Sequence, residues 1–115
     1  YVPVTLLTGV NHSMLIMQEE SFGPVCGIQK VTNDEEAVTL MLDTPYGLTA
    51  AVYGSSFERA ERIMQKMDTG TVYFNCCDRV SAALPWSGRG QSGIGSTLSF
   101  SGIRAFTQAK AWHLR

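Results

Sequence analysis

The segment TAAVYGSSFERAERIMQKMDTGTVYFN, residues 49–75, contains the pattern from which the architecture of the chain follows. Its first part, Thr49–Tyr53, is a short apolar run that predicts a strand buried on both faces, and Gly54 ends it. Apolar side chains then recur at the spacing of one helix face: Phe57, Ala60, Ile63, Met64 and Met67. Gly70 ends that helix, and Thr71–Asn75 predicts a second buried strand. A strand, a helix and a strand in this order predict a right-handed crossover between parallel strands.

An earlier strand and helix extend the same alternation. Val25–Val31 is a strand candidate bounded by turn residues. Asn33 is predicted to cap the next helix, with Glu36 completing a capping box, and Ser55 with Glu58 predicts a second box. The first of these helices is expected to bury Ala37, Val38, Met41 and Leu42. The predicted fold class is therefore α/β, with a parallel βαβαβ sheet covered by helices.

The two ends of the chain and one long loop complete the organisation. Tyr1–Leu7 is rich in β-formers and predicts a further strand. The segment from Asp78 to Ser96 is loop-like, and Trp86 within it favours a functional segment over a solvated linker. Leu98–Phe106 predicts a short helix. Ala109–Leu114 predicts a C-terminal edge strand, whose unpaired backbone groups favour pairing with another subunit.

Charge and cysteine content exclude several classes of protein. The net charge is −1, and the basic residues after Asp78 are too dispersed for a nucleic-acid-binding surface. The three cysteines, two of them adjacent, predict neither a disulfide framework nor a metal site. No run has the length of a membrane-spanning helix, and no signal peptide opens the chain. These features predict a cytoplasmic protein with reduced thiols and no membrane partner.

The segment Glu19–Val25, EESFGPV, predicts a rigid corner. Gly23 permits a sharp bend and Pro24 fixes its own φ. Glu20 and Phe22 then present a hydrogen-bond acceptor and a flat apolar face, which suit a pair of sugar hydroxyls beside an aromatic ring. On local chemistry alone, an acidic loop that caps a strand is the alternative interpretation.

Four segments in register make the chain resemble the C-terminal portion of the aldehyde dehydrogenase superfamily. They are Glu19–Val25, Pro45–Ala50, Gly70–Asn75 and Leu84–Gly95. The resemblance covers essentially all 115 residues. It implies an NAD(P)+-dependent aldehyde dehydrogenase, which oxidises an aldehyde to a carboxylic acid through a thiohemiacetal on a cysteine.

The resemblance also implies roles for individual residues. Glu20 would bond the hydroxyls of the nicotinamide ribose, and Phe22 would pack beside the nicotinamide of NAD or NADP. The substrate tunnel would be lined by Asp78, Arg79, Val80 and Trp86. For Trp86 a hydrophobic plug between domains remains an alternative. Departures from the family pattern occur at Ser87, Gly90 and Ser96-Thr97, so the subfamily stays open.

No catalytic residue is expected in this chain, because neither the nucleophile block of the family nor its general-base block is matched. Cys26, Cys76 and Cys77 do not fit the nucleophile block, and Cys26 falls within a strand expected to be buried. We therefore expect residues 1–107 to be part of a catalytic domain and residues 108–115 to be an oligomerisation strand of a homodimer or homotetramer. The coenzyme would be bound mainly by another domain, and the chain alone would be inactive. Alternatives are a non-catalytic oligomerisation or binding module with the same fold, and a small α/β ligand-binding domain that uses the Glu20 corner.

Overall fold

The computed structural model describes residues 1–76 and 79–115. In chain order its elements are β1 (Thr5–Thr8), α1 (Leu15–Gln18), β2 (Val25–Ile28), α2 (Asp34–Leu42), β3 (Thr49–Val52), α3 (Phe57–Met64), β4 (Thr71–Phe74) and α4 (Ser99–Arg104). The chain divides into two compact units, residues 1–44 and 45–115. Within the described ranges, no helix is long and apolar enough to span a membrane.

In the first unit, β1 and β2 form a parallel pair. The register places Thr5 opposite Val25 and Thr8 opposite Ile28. The helix α1 lies between these strands in sequence, and sequence analysis did not predict it. Its N-cap residue makes no side-chain capping bond, and it spans about one turn, so no capping or periodicity signal identifies it.

The start of α2 confirms the predicted cap at Asn33 and modifies the capping box. Asn33 Oδ1 accepts a hydrogen bond of 2.8 Å from the Glu36 N–H. The Glu36 carboxylate bonds Thr32, accepting from its hydroxyl at 2.6 Å and from its N–H at 2.7 Å, instead of bonding the Asn33 N–H. The Thr32 hydroxyl, followed by the Thr32 N–H, lowers the pKa of Glu36.

The burial predicted for α2 is only partly confirmed. Val38 is 7% exposed, but Met41 and Leu42 are 38% and 43% exposed, so these two predictions are wrong for this chain by itself. The pattern of apolar residues defines which helix face is apolar, whereas burial requires a surface that covers this face.

In the second unit, β3 and β4 form another parallel pair, and α3 connects them. Thr49 lies opposite Thr71 and Val52 opposite Phe74. The N-cap of α3 is Ser56, whose Oγ accepts from the Arg59 N–H at 3.2 Å, so the predicted cap at Ser55 is wrong by one residue. The core of this unit contains Ala60 and Tyr73, and the rings of Phe57 and Phe74 meet edge to face at 5.5 Å.

The α/β class and the parallel pairing are confirmed. The strands divide into two pairs, β1–β2 and β3–β4, instead of one continuous βαβαβ sheet among the described residues. The reason is that β2 takes the chain's first strand as its parallel partner. The expected two-sided burial of Thr49–Tyr53 is also not observed, since β3 is only partly buried and Tyr53 is 64% exposed.

The C-terminal region contains one short helix and an exposed end. The helix α4 confirms the prediction for residues 98–106 and is shorter at both ends. Residues 108–115 are exposed and form no strand within this chain. The predicted edge strand, its pairing with another subunit and the domain boundary after residue 107 stay predictions.

Candidate functional site

Glu20 and Phe22 line one cavity in the first unit, as predicted for the corner. The cavity has a volume of about 410 Å³. The helix α1 contributes Ile16 and Met17 to its wall, and β2 contributes Cys26. The corner therefore faces an enclosed space instead of only capping a strand.

Local backbone geometry makes Phe22 protrude from this corner. Phe22 has a φ of 52°, in the left-handed region that bulky residues rarely adopt, and its side chain is 92% exposed. Next to it, the Gly23 N–H donates to Ser21 Oγ at 3.2 Å. The carbonyl of Pro24 accepts from the Thr5 N–H at 2.8 Å, which connects the corner to β1. A strained residue that presents an exposed ring is a recurrent feature of ligand-binding sites.

The Glu20 carboxylate is exposed and makes no hydrogen bond or ion pair within the described part of the chain. It differs in this respect from Glu36, whose carboxylate is already bonded to Thr32. All acceptor positions of the Glu20 oxygens are thus available to a ligand that offers hydroxyl donors.

The wall formed by α1 depends on Gly27 of β2. A Cβ atom at Gly27 would lie 2.3 Å from Met17 Sδ, so only glycine lets α1 approach the strand this closely. Sequence analysis missed the roles of Met17 and Gly27. It also predicted burial for Cys26, which is exposed in the cavity wall, because β2 is uncovered on that side.

The residues expected to contact the substrate belong to the second unit. Arg79 and Val80 are exposed, and the Arg79 carbonyl accepts from the Tyr73 hydroxyl at 3.2 Å. Trp86 is half-buried and forms an antiparallel bridge with Thr97, with N–H···O distances of 2.8 and 2.9 Å. The predictions that concern Cys77 and Asp78 lie outside the described residues.

The loop that contains Trp86 is held against the turn at Pro45–Gly47. The Gly47 carbonyl accepts from the N–H groups of Gly70 and Arg89, both at 3.0 Å, and the Gly47 N–H donates to Ser92 Oγ at 3.0 Å. A Cβ atom at Gly70 would lie 1.5 Å from the Ser87 carbonyl oxygen. We call the three hydrogen bonds the Gly47 junction, and they show that the loop is ordered by contacts with the turn.

No cluster of three or more potential metal ligands occurs among residues 1–76 and 79–115. A second cavity of the first unit, about 460 Å³, lies between α2 and His12. His12 Nε2 approaches the Asp43 carboxylate at 3.0 Å and connects the start of the unit to the end of α2.

Comparison with known proteins identifies one family. The model of the "Aldehyde dehydrogenase family" matches residues 1–112. The chain is 36% identical over 110 residues to a chloroplastic betaine aldehyde dehydrogenase of Atriplex hortensis, covering 96% of this chain and 22% of that protein. It is 40% identical over 110 residues to a succinate-semialdehyde dehydrogenase [NADP(+)] of Deinococcus radiodurans, covering 96% of this chain and 23% of that protein.

Solved structures agree with these relatives. Betaine aldehyde dehydrogenase from Staphylococcus aureus in complex with NAD+ has a TM-score of 0.84 and 33% identity, covering 96% of this chain and 24% of that chain. An indole-3-acetaldehyde dehydrogenase mutant of P. syringae in complex with NAD+ and IAA has a TM-score of 0.85 and 36% identity, covering 91% and 21%. The chain spans between a fifth and a quarter of the length of these proteins.

Proposed function

The chain belongs to the aldehyde dehydrogenase family, and on this premise we propose that it is the C-terminal portion of an NAD(P)+-dependent aldehyde dehydrogenase. The whole protein would oxidise an aldehyde to a carboxylic acid. The observation that carries the proposal is the cavity at which the unpaired Glu20 carboxylate and the exposed Phe22 ring occur together.

These two side chains fit the coenzyme end that we assign to them. The Glu20 carboxylate accepts hydrogen bonds from the hydroxyls of the nicotinamide ribose, and such charge-assisted bonds are stronger than neutral ones. The Phe22 ring offers a flat apolar face to the nicotinamide. When bound, NAD+ or NADP+ supplies the hydride acceptor of the reaction. The names of relatives include both forms, and the preference would be set by a domain outside residues 1–115.

The second unit would contribute to the aldehyde-binding side. Val80 is apolar and 62% exposed, and Trp86 presents a half-buried indole, so both suit the apolar part of an aldehyde. Arg79 and Asp78 would border the same tunnel. Relatives are named for betaine aldehyde, succinate semialdehyde and aminoaldehydes, which differ in charge, so our proposal extends to the class of aldehydes.

The bond-forming residues would lie elsewhere in the protein. A cysteine thiolate outside residues 1–115 attacks the carbonyl carbon and forms the thiohemiacetal, and a base outside them activates the water that releases the acid. Cys26 and Cys76 lie outside the sequence pattern of that nucleophile. We therefore expect no turnover by this chain alone.

The test compares two proteins. The full-length protein, purified and supplied with an aldehyde series and either coenzyme, should form reduced coenzyme, as measured by its absorbance. The 115-residue chain should form none under the same conditions. Absence of turnover by the full-length protein with every aldehyde would contradict the proposed activity, and turnover abolished by Cys76→Ser in the isolated chain would contradict an external nucleophile.

The exposed C-terminal segment supports a second role, which is also the alternative to catalysis. Trp112 and Leu114 are 77% and 84% exposed, and the segment forms no strand within its own chain. We propose that residues 108–115 pair with another subunit in a dimer or tetramer, whether or not the rest of the protein is catalytic. A cytoplasmic location stays part of this proposal, since some relatives are named as chloroplastic or peroxisomal.

A further inference from the structure

The side chain of Asn75 forms two hydrogen bonds with one backbone residue beyond the neighbouring strand. Asn75 Oδ1 accepts from the Gly54 N–H at 2.8 Å, and Asn75 Nδ2 donates to the Gly54 carbonyl at 2.7 Å. The last backbone pair of the two strands is Val52 with Phe74. The carboxamide therefore continues the β3–β4 pairing after the backbone of β4 has ended, with a donor and an acceptor that imitate a peptide group.

The backbone of Asn75 changes the direction of the chain at the same point. Its N–H still donates to the Val52 carbonyl at 3.0 Å, but its φ is 51°. Asparagine tolerates this left-handed conformation better than most residues do, and the two side-chain bonds hold it there. Asn75 thus ends the strand and fixes the angle at which the next segment leaves the sheet.

A second contact holds that segment from its other end. The hydroxyl of Tyr73 donates to the Arg79 carbonyl at 3.2 Å, and Tyr73 is only 9% exposed. This contact uses the backbone of Arg79, and the side chains of Arg79 and Val80 stay exposed. The segment is therefore attached through its backbone to the buried part of β4, while the side chains expected to meet the aldehyde point away from that attachment.

We propose that Asn75 is a positioning residue that, together with Tyr73, orients Arg79 and Val80 toward the aldehyde. This inference rests on the proposed function, because it assigns Asn75 no contact with substrate or coenzyme. Its effect is on how well the aldehyde is bound, through the course of the backbone between residues 75 and 79. The coenzyme contacts of Glu20 and Phe22 do not depend on it.

The experiment uses the full-length enzyme with Asn75→Gly, which keeps the left-handed backbone accessible and removes both side-chain bonds. Two hydrogen bonds of about 1 kcal/mol each correspond to an increase of about tenfold or more in the KM for aldehyde. The KM for coenzyme and the kcat at saturating aldehyde should stay within about twofold of wild type. A residue that only stabilised the fold would lower the amount of active protein and leave the KM for aldehyde unchanged.

Two further variants make the result decisive. Tyr73→Phe removes the second contact while keeping the buried ring, so its KM should shift in the same direction even if Asn75→Gly fails to fold. Asn33→Ala is the matched control, since it also removes a bond made by an asparagine carboxamide, at the cap of α2. It should lower the melting temperature without changing the KM for aldehyde.

The outcomes separate this inference from the proposed function. An active enzyme in which Tyr73→Phe and any folded Asn75→Gly keep the wild-type KM for aldehyde would overturn the positioning role and leave the dehydrogenase activity intact. A full-length wild-type protein that oxidises no aldehyde would overturn the proposed function and the inference with it.

Discussion

Replacement of Glu20 by glutamine isolates the charge of the carboxylate from its shape. The amide fills the same space and still accepts one hydrogen bond, but it lacks the negative charge that strengthens bonds from ribose hydroxyls. Because the Glu20 carboxylate has no described partner within the chain, its replacement leaves the fold unaltered. The whole effect should therefore appear in the reaction.

The expected loss is that of a hydrogen bond to a charged group, about 1.5–3 kcal/mol. If it acts on the orientation of the nicotinamide, hydride transfer slows about ten- to a hundredfold. Coenzyme affinity should fall less, since most contacts to the coenzyme are expected from another domain. The assay is single-turnover formation of reduced coenzyme by the full-length enzyme in a stopped-flow instrument, with coenzyme affinity measured separately by titration.

Glu35→Gln is the matched control, because Glu35 is an exposed glutamate of the same unit at the first turn of α2, outside the cavity. It should leave the single-turnover rate unchanged. A wild-type rate in the Glu20→Gln enzyme would remove Glu20 from the coenzyme site and refute the reasoning based on its unpaired carboxylate. An equal loss in both variants would indicate a general effect of charge instead of a local contact.

Three further predictions concern stability and assembly of the full-length protein. Gly70→Ala should lower the free energy of unfolding by about 1–3 kcal/mol or more in chemical denaturation, because its Cβ would collide with the Ser87 carbonyl, whereas Gly54→Ala, with open space around it, should change it little. The pKa of Glu36 is lowered by folding, so its stabilising contribution is present above its ordinary pKa and lost as the pH falls through the lowered value. The glutamine variant at this position should therefore lose less stability on acidification, and parallel denaturation curves would contradict this. Truncation after Thr107 should yield smaller species in sedimentation with little change in far-UV circular dichroism, and an unchanged assembly would show that residues 108–115 do not hold subunits together.

Local signals predicted the elements that depend on local chemistry. Asn33 and Glu36 located the start of α2 because a cap is a contact between near neighbours in sequence. The choice between Ser55 and Ser56 was wrong because adjacent serines offer the same chemistry, and the docking of α3 on its strands decides between them. The one-turn helix α1 was missed for lack of any cap or period.

The features that sequence reasoning missed depend on contacts between distant segments. The close approach of Met17 to Gly27 requires knowledge of how α1 packs on β2, and the two bonds between Asn75 and Gly54 require the register of β3 and β4. Burial failed for a related reason. The pattern of Met41 and Leu42 is apolar, yet both side chains are more than a third exposed in this chain. An apolar pattern predicts that a face is suited to burial but not which surface covers it.

The Gly47 junction has a consequence for the order of folding. It joins Gly47 to Ser92, which is 45 positions away in sequence, whereas the β3–β4 pair closes over the much shorter segment that contains α3. Because closing a longer loop costs more chain entropy before any contact repays it, we expect the junction to form after the strand pair. Pulse-labelling hydrogen exchange during refolding would then protect the amides of β4 before those of Gly47 and Arg89. The loop that presents Trp86 would accordingly be the last part of this unit to reach its native conformation, and the first to open during local unfolding.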